Sequence, residues 1–313
     1  MKCPNCSSSH VIKKGKRKTK YQSKQRFLCK NCKQNFFETT EPKLNYKEYP
    51  PVVISAGISL YNLGYPLREV SKQINKRFKI NTGKSTVHSW VQEFHHLCPI
   101  SKIKNNFSYS DTVVFSQRFE HENLEYLFMY HKYKLNMFAQ TKFPGLTHYI
   151  TGFEKGCPDV FFQVGKRCSQ PNVKTNAPVI QKKNLACEMA AFAIQSARNN
   201  RERHKVVEQF LLINDLATVA CEVPVWYWEK TIDQGVTGHI DIIQVRNNLV
   251  YILDYKPDAV HEKKAPWQLY HYAVALSFRT KIPLGQIRCA WFDSEIYYEY
   301  SPLDARIEII TKT

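Results

Sequence analysis

The spacing of apolar residues changes character several times along the chain. Residues 51–63 have a helical pattern that stops at Gly64-Tyr65-Pro66. A second helix is predicted over about 67–78, with Leu67, Val70, Ile74 and Phe78 on one face. Asn81-Thr82-Gly83 breaks it. Ser85 or Thr86 is placed to cap a third helix, in which Val87, Trp90, Val91 and Phe94 recur at i, i+3, i+4, i+7. Residues 101–180 are rich in Tyr and Phe and give no clean period. Helical spacing returns over about 182–199, where Leu185, Glu188, Met189 and Phe192 form a stripe. From Cys221 the period shortens to that of strands: Cys221–Trp228, then Val236–Val245, then Leu249–Lys256, with Arg246-Asn247-Asn248 as turn chemistry.

This succession predicts several units rather than one. The expected division is 1–40, 41–104, 105–180 and 181–313, the third without an assignable role. At 313 residues the chain has room for two or three domains. A 43% apolar and 13% aromatic content excludes a disordered chain. No apolar run of about 18 residues is present, so no membrane span is expected. Met1-Lys2-Cys3-Pro4 lacks the apolar region of a secretory leader, which points to a cytoplasmic setting.

Charge sharpens the picture. The formal net charge is +18, and 13 Lys/Arg against 3 Asp/Glu fall within residues 1–48. The densest stretch holds Lys13, Lys14, Lys16, Arg17, Lys18 and Lys20. A solvated face usually mixes signs; this one does not, and a polyanion, DNA above all, is the expected partner. The third helix adds Lys84, Thr86, His88, Ser89 and Gln92 on the face away from its apolar stripe, where such side chains reach base edges. Gly83-Lys84-Ser85-Thr86 is not a phosphate-binding P-loop, because Phe78 stands where the first glycine belongs and no strand precedes it.

Cys3-Pro4-Asn5-Cys6 and Cys29-Lys30-Asn31-Cys32 are two C-x-x-C knuckles 22 residues apart. A two-residue spacer lets one tight turn aim two thiolates at a point, and two knuckles supply the tetrahedral sulfur set that zinc prefers. Four sulfurs also suit a rubredoxin-like iron. His10 is near enough to compete, but four cysteines fill the shell, so the site is closed and serves folding. The basic run between the knuckles is expected at the tip of a small hairpin.

The register of the C-terminal hairpin follows from its turn. If Asn247-Asn248 is a two-residue turn, residue 246 faces 249, Asp241 faces Asp254, and His239 faces Lys256. Opposed side chains share a face and lie ~4.5–5.5 Å apart at Cβ, where like charges repel. A divalent cation resolves the conflict, and hard oxygen ligands suit magnesium or manganese. Lys256 brings a positive charge to the same face. Glu188, on the apolar stripe of its helix, is the candidate third acid, since an unpaired carboxylate facing the core is costly. Asp111 and Asp159 have no supporting motif.

Two resemblances follow. Cys3–Phe37, through its knuckles and Arg26-Phe27-Leu28-Cys29-Lys30-Asn31-Cys32-Lys33-Gln34-Asn35-Phe36, resembles the zinc ribbons of insertion-sequence transposases, and the three helices resemble the helix-turn-helix of the same module. Residues 182–300 resemble the PD-(D/E)XK nuclease superfamily in its RecB-like branch: Gly238-His239-Ile240-Asp241 is similar to its G-x-x-D motif, Asp254-Tyr255-Lys256 to its D-x-K motif, and Gln268-Leu269-Tyr270-His271-Tyr272 to its Q-x-x-x-Y helix. That resemblance implies metal binding by Asp241 and Asp254, water positioning or activation by Lys256, and supporting or DNA-contacting roles for Gln268 and Tyr272. Glu222 matches a recurrent acid of the branch. The branch often carries a helical histidine near the position that Glu188 holds in this chain. Its iron–sulfur members end in three clustered cysteines, whereas only Cys289 lies beyond residue 221, so no iron–sulfur cluster is expected.

The expected architecture is thus multidomain: a zinc ribbon, a helical helix-turn-helix domain, and an α/β restriction-endonuclease-like core with a central mixed sheet flanked by helices. The expected function is metal-dependent hydrolysis of DNA phosphodiesters, with structural zinc, catalytic magnesium or manganese, and a homodimer as one permitted assembly. Two rival readings are a non-catalytic DNA-binding regulator on a nuclease-like fold and a transposase-related strand-transfer protein.

Overall fold

A computed structural model of the chain describes residues 1–37, 44, 47–107, 113–121, 124–163, 166–167, 173–230 and 233–309. Asp111 lies outside them. The N-terminal unit is a three-stranded antiparallel sheet of β1 (Val11–Lys18), β2 (Ser23–Cys29) and β3 (Asn35–Phe37). Its core is little more than Cys3, Phe27, Cys29 and Phe36. So small a core needs a further restraint, which a metal clip would supply.

Three helices follow: α1 (Pro51–Asn62), α2 (Leu67–Phe78) and α3 (Lys84–Glu93). Pro51 opens α1 at a position where its missing N–H costs nothing. Helix α3 starts ahead of the expected Ser85 or Thr86 cap: Gly83 is its N-cap, without a side-chain hydrogen bond. Val53, Ile54, Ile58, Val70, Ile74, Val87, Trp90 and Phe94 are buried together. Gly57 lets α1 approach α3 closely: a Cβ there would sit 3.1 Å from the Trp90 ring, which would have to shift by a few tenths of an ångström.

The remaining strands build a mixed sheet ordered β4 (Val114–His121), β5 (Leu124–His131), β9 (Thr218–Glu229), β10 (Gln234–Arg246), β11 (Leu249–Tyr255), β12 (Ile287–Phe292), β13 (Tyr297–Tyr300), β8 (Ile180–Lys182). A short β6 (Lys166–Arg167) pairs with β10, and β7 (Val173–Asn176) pairs with β14 (Arg306–Ile309). Strands β9, β10 and β11 form an antiparallel meander. α9 (Ala265–Thr280) then crosses over to β12, which lies parallel to β11. One face of the sheet is covered by α4 (Lys132–Ala139), α5 (Pro144–Gly152), α6 (Asp159–Gln163) and α9. The other is covered by α7 (Leu185–Ala193) and α8 (Arg203–Asn214).

Two findings change the expected division of the chain. Residues 114–163, opaque in sequence, supply two strands and three helices of this layered unit: Met129 and Tyr130 of β5 pair with Cys221 and Ala220 of β9. Their Phe and Tyr content is core material, and Asp159 is merely an exposed residue opening α6. The three-helix unit α1–α3 also shares a core with α7 and α8. Phe94 packs on Phe192 with ring centroids 4.8 Å apart. Asn62 donates to Asn214 Oδ1 at 2.7 Å, and Asn214 donates to Ser59 Oγ at 3.0 Å and to Phe210 O at 2.9 Å. This buried polar knot ties α1 to the end of α8.

The turn-derived register holds as far as the ladder runs. Arg246 pairs with Leu249, Gln244 with Tyr251, and Ile242 with Leu253. Asn247 and Asn248 have φ of 52° and 60°, the left-handed pair that a type I′ turn demands.

Candidate metal centres

Both knuckles fold alike. Ser7 and Lys33, each directly after a second cysteine, have φ of 56° and 62°. Each donates its N–H back to the first cysteine's carbonyl, Ser7 to Cys3 at 2.9 Å and Lys33 to Cys29 at 3.0 Å. The turns bring the sulfurs of Cys3, Cys6, Cys29 and Cys32 within 4.8 Å of one another. Cys3 and Cys32 sulfurs are 3.5 Å apart, and Cys6 and Cys29 sulfurs 3.6 Å. Zn–S bonds of ~2.3 Å in a tetrahedron place sulfurs ~3.75 Å apart, so the set fits zinc. The backbone N–H of Gln34, with help from Asn5, holds the Cys32 thiol down at about 6, which favours the thiolate that a metal needs.

The cationic residues lie along β1 rather than at the hairpin tip. Lys13, Lys14, Lys16, Arg17 and Lys18 are exposed strand residues, and Gly15 (φ 68°) marks an irregularity between Lys13 and Lys16. The tip, Thr19–Gln22, docks instead on the helical unit. Tyr21 stacks on Tyr49 at 4.8 Å, Tyr49 meets Trp90 edge-on at 5.2 Å, and Thr19 Oγ1 donates to Glu48 O at 2.9 Å. Lys20 remains exposed beside it. On α3, Lys84, His88, Ser89 and Gln92 are exposed and Thr86 is half-buried, all facing away from the shared core.

The second centre forms where β10 and β11 leave their ladder. Asp254 is buried (1% exposed) and Lys256 Nζ lies 2.8 Å from its Oδ2. Asp241 and Asp254 act on each other's carboxyls. On β9, Glu222 adopts φ 52°, which costs a non-glycine residue about 1–2 kcal/mol. Alternation fails here in both strands: Ile240 and Ile242 pack into different cores, as do Cys221 and Val223. Through this kink Asp241 meets α8. His204, Glu208 and Asp241 present ligand atoms within 4.8 Å of one another, and His204 Nδ1 is 3.7 Å from Asp241 Oδ2. The buried Lys134 Nζ anchors the far end of α8, donating to the carbonyls of Leu212 and Asp215 at 2.5 and 2.7 Å.

Two expectations need correction. Glu188 is exposed on α7 and takes no part. The helical acid is Glu208, which is 3% exposed. The stripe of α7 is turned so that Ala186, Met189, Ala190 and Phe192 face inward, a rotation that four apolar markers did not fix. His239 does not face Lys256. It stacks on Tyr126 with centroids 3.5 Å apart, because the kink at Asp241 resets the face of β10 and Lys256 N–H bonds to Phe292 O beyond the strand end. The missed signal was His204-Lys205-Val206-Val207-Glu208, an i, i+4 pair on one helix face. Gln268 donates to the Tyr272 hydroxyl at 2.9 Å on α9, and Tyr272 is buried.

The electrostatics are those of a carboxylate cluster short of positive charge. Burial, then the facing Asp241, pushes the Asp254 carboxyl well above the usual carboxylate range despite Lys256. Burial, then Glu222, Asp241 and Asp254, does the same to Glu208. Burial opposes ionisation of Asp241 as well, but His204, Asp254 and Lys256 together hold it below its ordinary value. Lys256 is raised: burial pulls it down, but Asp254 and Asp241 outweigh that. Glu208 Oε1 and Asp254 Oδ1 have no hydrogen-bond donor among the described residues. Orphaned buried carboxylate oxygens beside an imidazole fit a divalent cation such as magnesium or manganese.

Among the described residues, no helix is long and apolar enough to cross a membrane. No protein-family model, curated protein or solved structure matches this chain.

Proposed function

We propose that this protein is a metal-dependent deoxyribonuclease whose zinc ribbon and helix-turn-helix hold the DNA that the carboxylate centre cuts. The observation that carries the reading is the cluster formed by buried Glu208, half-buried Asp241 and buried Asp254, with Lys256 on Asp254 and Glu222 beside it. A structural role gives no reason to bury orphaned carboxylates together, since each is costly without a counter-charge. The resemblance to the RecB-like branch supports the same reading. The helical histidine of that branch, sought near Glu188, has a counterpart in His204.

Asp241, Asp254, Glu208 and His204 are the residues that would hold the cation. Bound there, it would polarise a phosphoryl oxygen and acidify a water. Lys256 stays an ammonium, so it acts by charge: it orients the attacking water or offsets the negative charge that grows on the phosphate, and it does not take a proton. The partly exposed His204 ring stands edge-on to Tyr255 at 5.2 Å, at the solvent side of the cluster. The cations of β1 and the polar face of α3 would supply phosphate contacts and base-edge contacts respectively. Incubation with labelled linear, circular and single-stranded DNA, with and without magnesium or manganese, tests the proposal. Cleavage that requires metal and is lost in Asp254→Asn is expected. Intact substrates throughout would leave only a DNA-binding protein, and joined ends would make it a strand-transfer protein.

A further inference from the structure

The strap Lys47-Glu48-Tyr49, between the N-terminal sheet and α1, lies against α3 and holds both of its ends. Lys47 pairs with Glu93, the last residue of α3 and its one acid. Tyr49 meets Trp90 edge-on at 5.2 Å, and its hydroxyl donates to Asn81 O at 3.0 Å, in the turn ahead of the N-cap Gly83. The strap is in turn held from its other side. Gln22 Nε2 donates to the carbonyls of Lys47 and Tyr49 at 2.5 and 3.0 Å, and Thr19 Oγ1 donates to that of Glu48 at 2.9 Å. Each strap carbonyl thus accepts from a side chain of the β1–β2 tip. Tyr21 stacks on Tyr49 at 4.8 Å and accepts from Asn81 N–H at 3.4 Å. On the α2 side of the same turn, Thr82 O accepts from Ser71 Oγ at 2.6 Å and from Asn75 Nδ2 at 2.9 Å. Helix α3 depends on such ties, because no side chain caps its N-terminus. An apolar contact would have been enough to bury the tip; three directed bonds to successive carbonyls also fix its angle.

We propose that the β1–β2 hairpin is a positioning element for α3. Through the strap it locks that helix to the N-terminal sheet, so that the exposed cations of β1 and the exposed face of α3 meet one duplex DNA as a single preformed surface. Tyr21 and Gln22 act through the strap and need touch no DNA. Two modules on an open tether would have to order the joint between them at the moment of binding, and a joint already made carries no such cost. The inference rests on the DNA-binding part of the proposed function and is independent of cleavage.

The test uses the full chain and a fluorescent blunt duplex over a range of salt, without added magnesium or manganese. Tyr21→Ala and Gln22→Ala should each weaken binding about tenfold, the order of losing a preorganised joint, and leave the salt slope unchanged, because no phosphate contact is removed. Lys16→Gln, which removes a β1 cation, should instead lower the slope by about 0.9. Tyr21→Phe keeps the stack on Tyr49 and should bind within about twofold of wild type. Tyr21 and Gln22 lie outside the small core of the sheet, so that unit should stay folded in every variant. Hydrogen exchange of the free protein should speed up over residues 47–49 and 79–86 in both alanine variants. The proposal is overturned if exchange there is unchanged, if Tyr21→Ala binds as tightly as wild type, or if the salt slope falls together with the affinity. It is also overturned if Tyr21→Ala weakens binding and Gln22→Ala does not, which would make the Tyr21 ring a direct DNA contact. Wild-type protein that does not bind the duplex at all would remove the DNA-binding reading itself, and the positioning role with it.

Discussion

Asp254→Asn separates catalysis from folding in a single substitution. The side chain keeps its shape and loses its charge. Without metal, burial and then Asp241 push the wild-type carboxyl well above the usual carboxylate range, and burial and then Glu222 do the same to Glu208. For an acid raised in this way the folded state binds more protons than the unfolded one. Its stability contribution is complete below the unfolded value of about 4 and is lost as pH rises toward the raised folded value. Metal-free wild type should therefore melt lower at pH 8 than at pH 5, and Asp254→Asn removes part of that slope. Relief of one strained carboxylate is worth about 1 kcal/mol after the loss of its Lys256 contact is set against it. With metal the sign reverses. A cation at 100 times its Kd stabilises by about 2.7 kcal/mol. Roughly 260 residues share the joined cores, and at about 2.1 cal/mol/K per residue the unfolding entropy is ~0.55 kcal/mol/K. Metal at pH 8 should then raise the wild-type Tm by about 5 °C and that of Asp254→Asn by 1 °C or less. Differential scanning calorimetry at pH 5 and 8, with manganese or EDTA, reads all of this, and cleavage and DNA affinity are measured on the same samples. A variant that keeps the metal-induced shift, or that cuts DNA at the wild-type rate, refutes the assignment of Asp254 as a ligand.

Lys256→Ala should lower cleavage by a hundredfold or more, about 3 kcal/mol, with DNA affinity nearly unchanged; an equal loss of affinity in a filter-binding assay would mean that Lys256 holds DNA instead. Glu208→Gln should weaken manganese binding, read by isothermal titration calorimetry, by at least the 10- to 100-fold typical of losing an outer partner, whereas Glu188→Gln should leave it unchanged. Elemental analysis should give one zinc per chain, and its removal should unfold residues 1–37 while the calorimetric transition of the larger unit stays in place. Deleting residues 1–47 should flatten the salt dependence of DNA binding by about 0.9 for each β1 cation that held a phosphate. A longer deletion through Phe94 should cost solubility as well, because it strips Phe94 from Phe192.

What the sequence disclosed depended on how local each signal was. The knuckles, the three helices and the β10–β11 turn are short-range patterns, and the Asn-Asn pair alone was enough to set the pairing from Arg246–Leu249 to Ile242–Leu253. Glu188 and Glu208 are both acids on amphipathic helices, and only packing decides which helix face turns to the sheet. The kink at Glu222 was invisible, since a left-handed glutamate leaves no mark in composition. The Tyr and Phe of residues 114–163 have no period because their strands and helices are short and buried from several sides.

The buried asparagine knot between α1 and α8 bears on how this protein can evolve or be re-engineered. Asn62 donates to Asn214 and Ser59 accepts from it, so replacing the helical unit by a foreign one would leave buried Asn214 with its bond to Phe210 O but without these two partners. On the proposed reading, new DNA specificity would have to arise by substitution on the exposed face of α3, not by exchange of whole modules. The spacing between the exposed face of α3 and the carboxylate centre is then as invariant as the length of one helix.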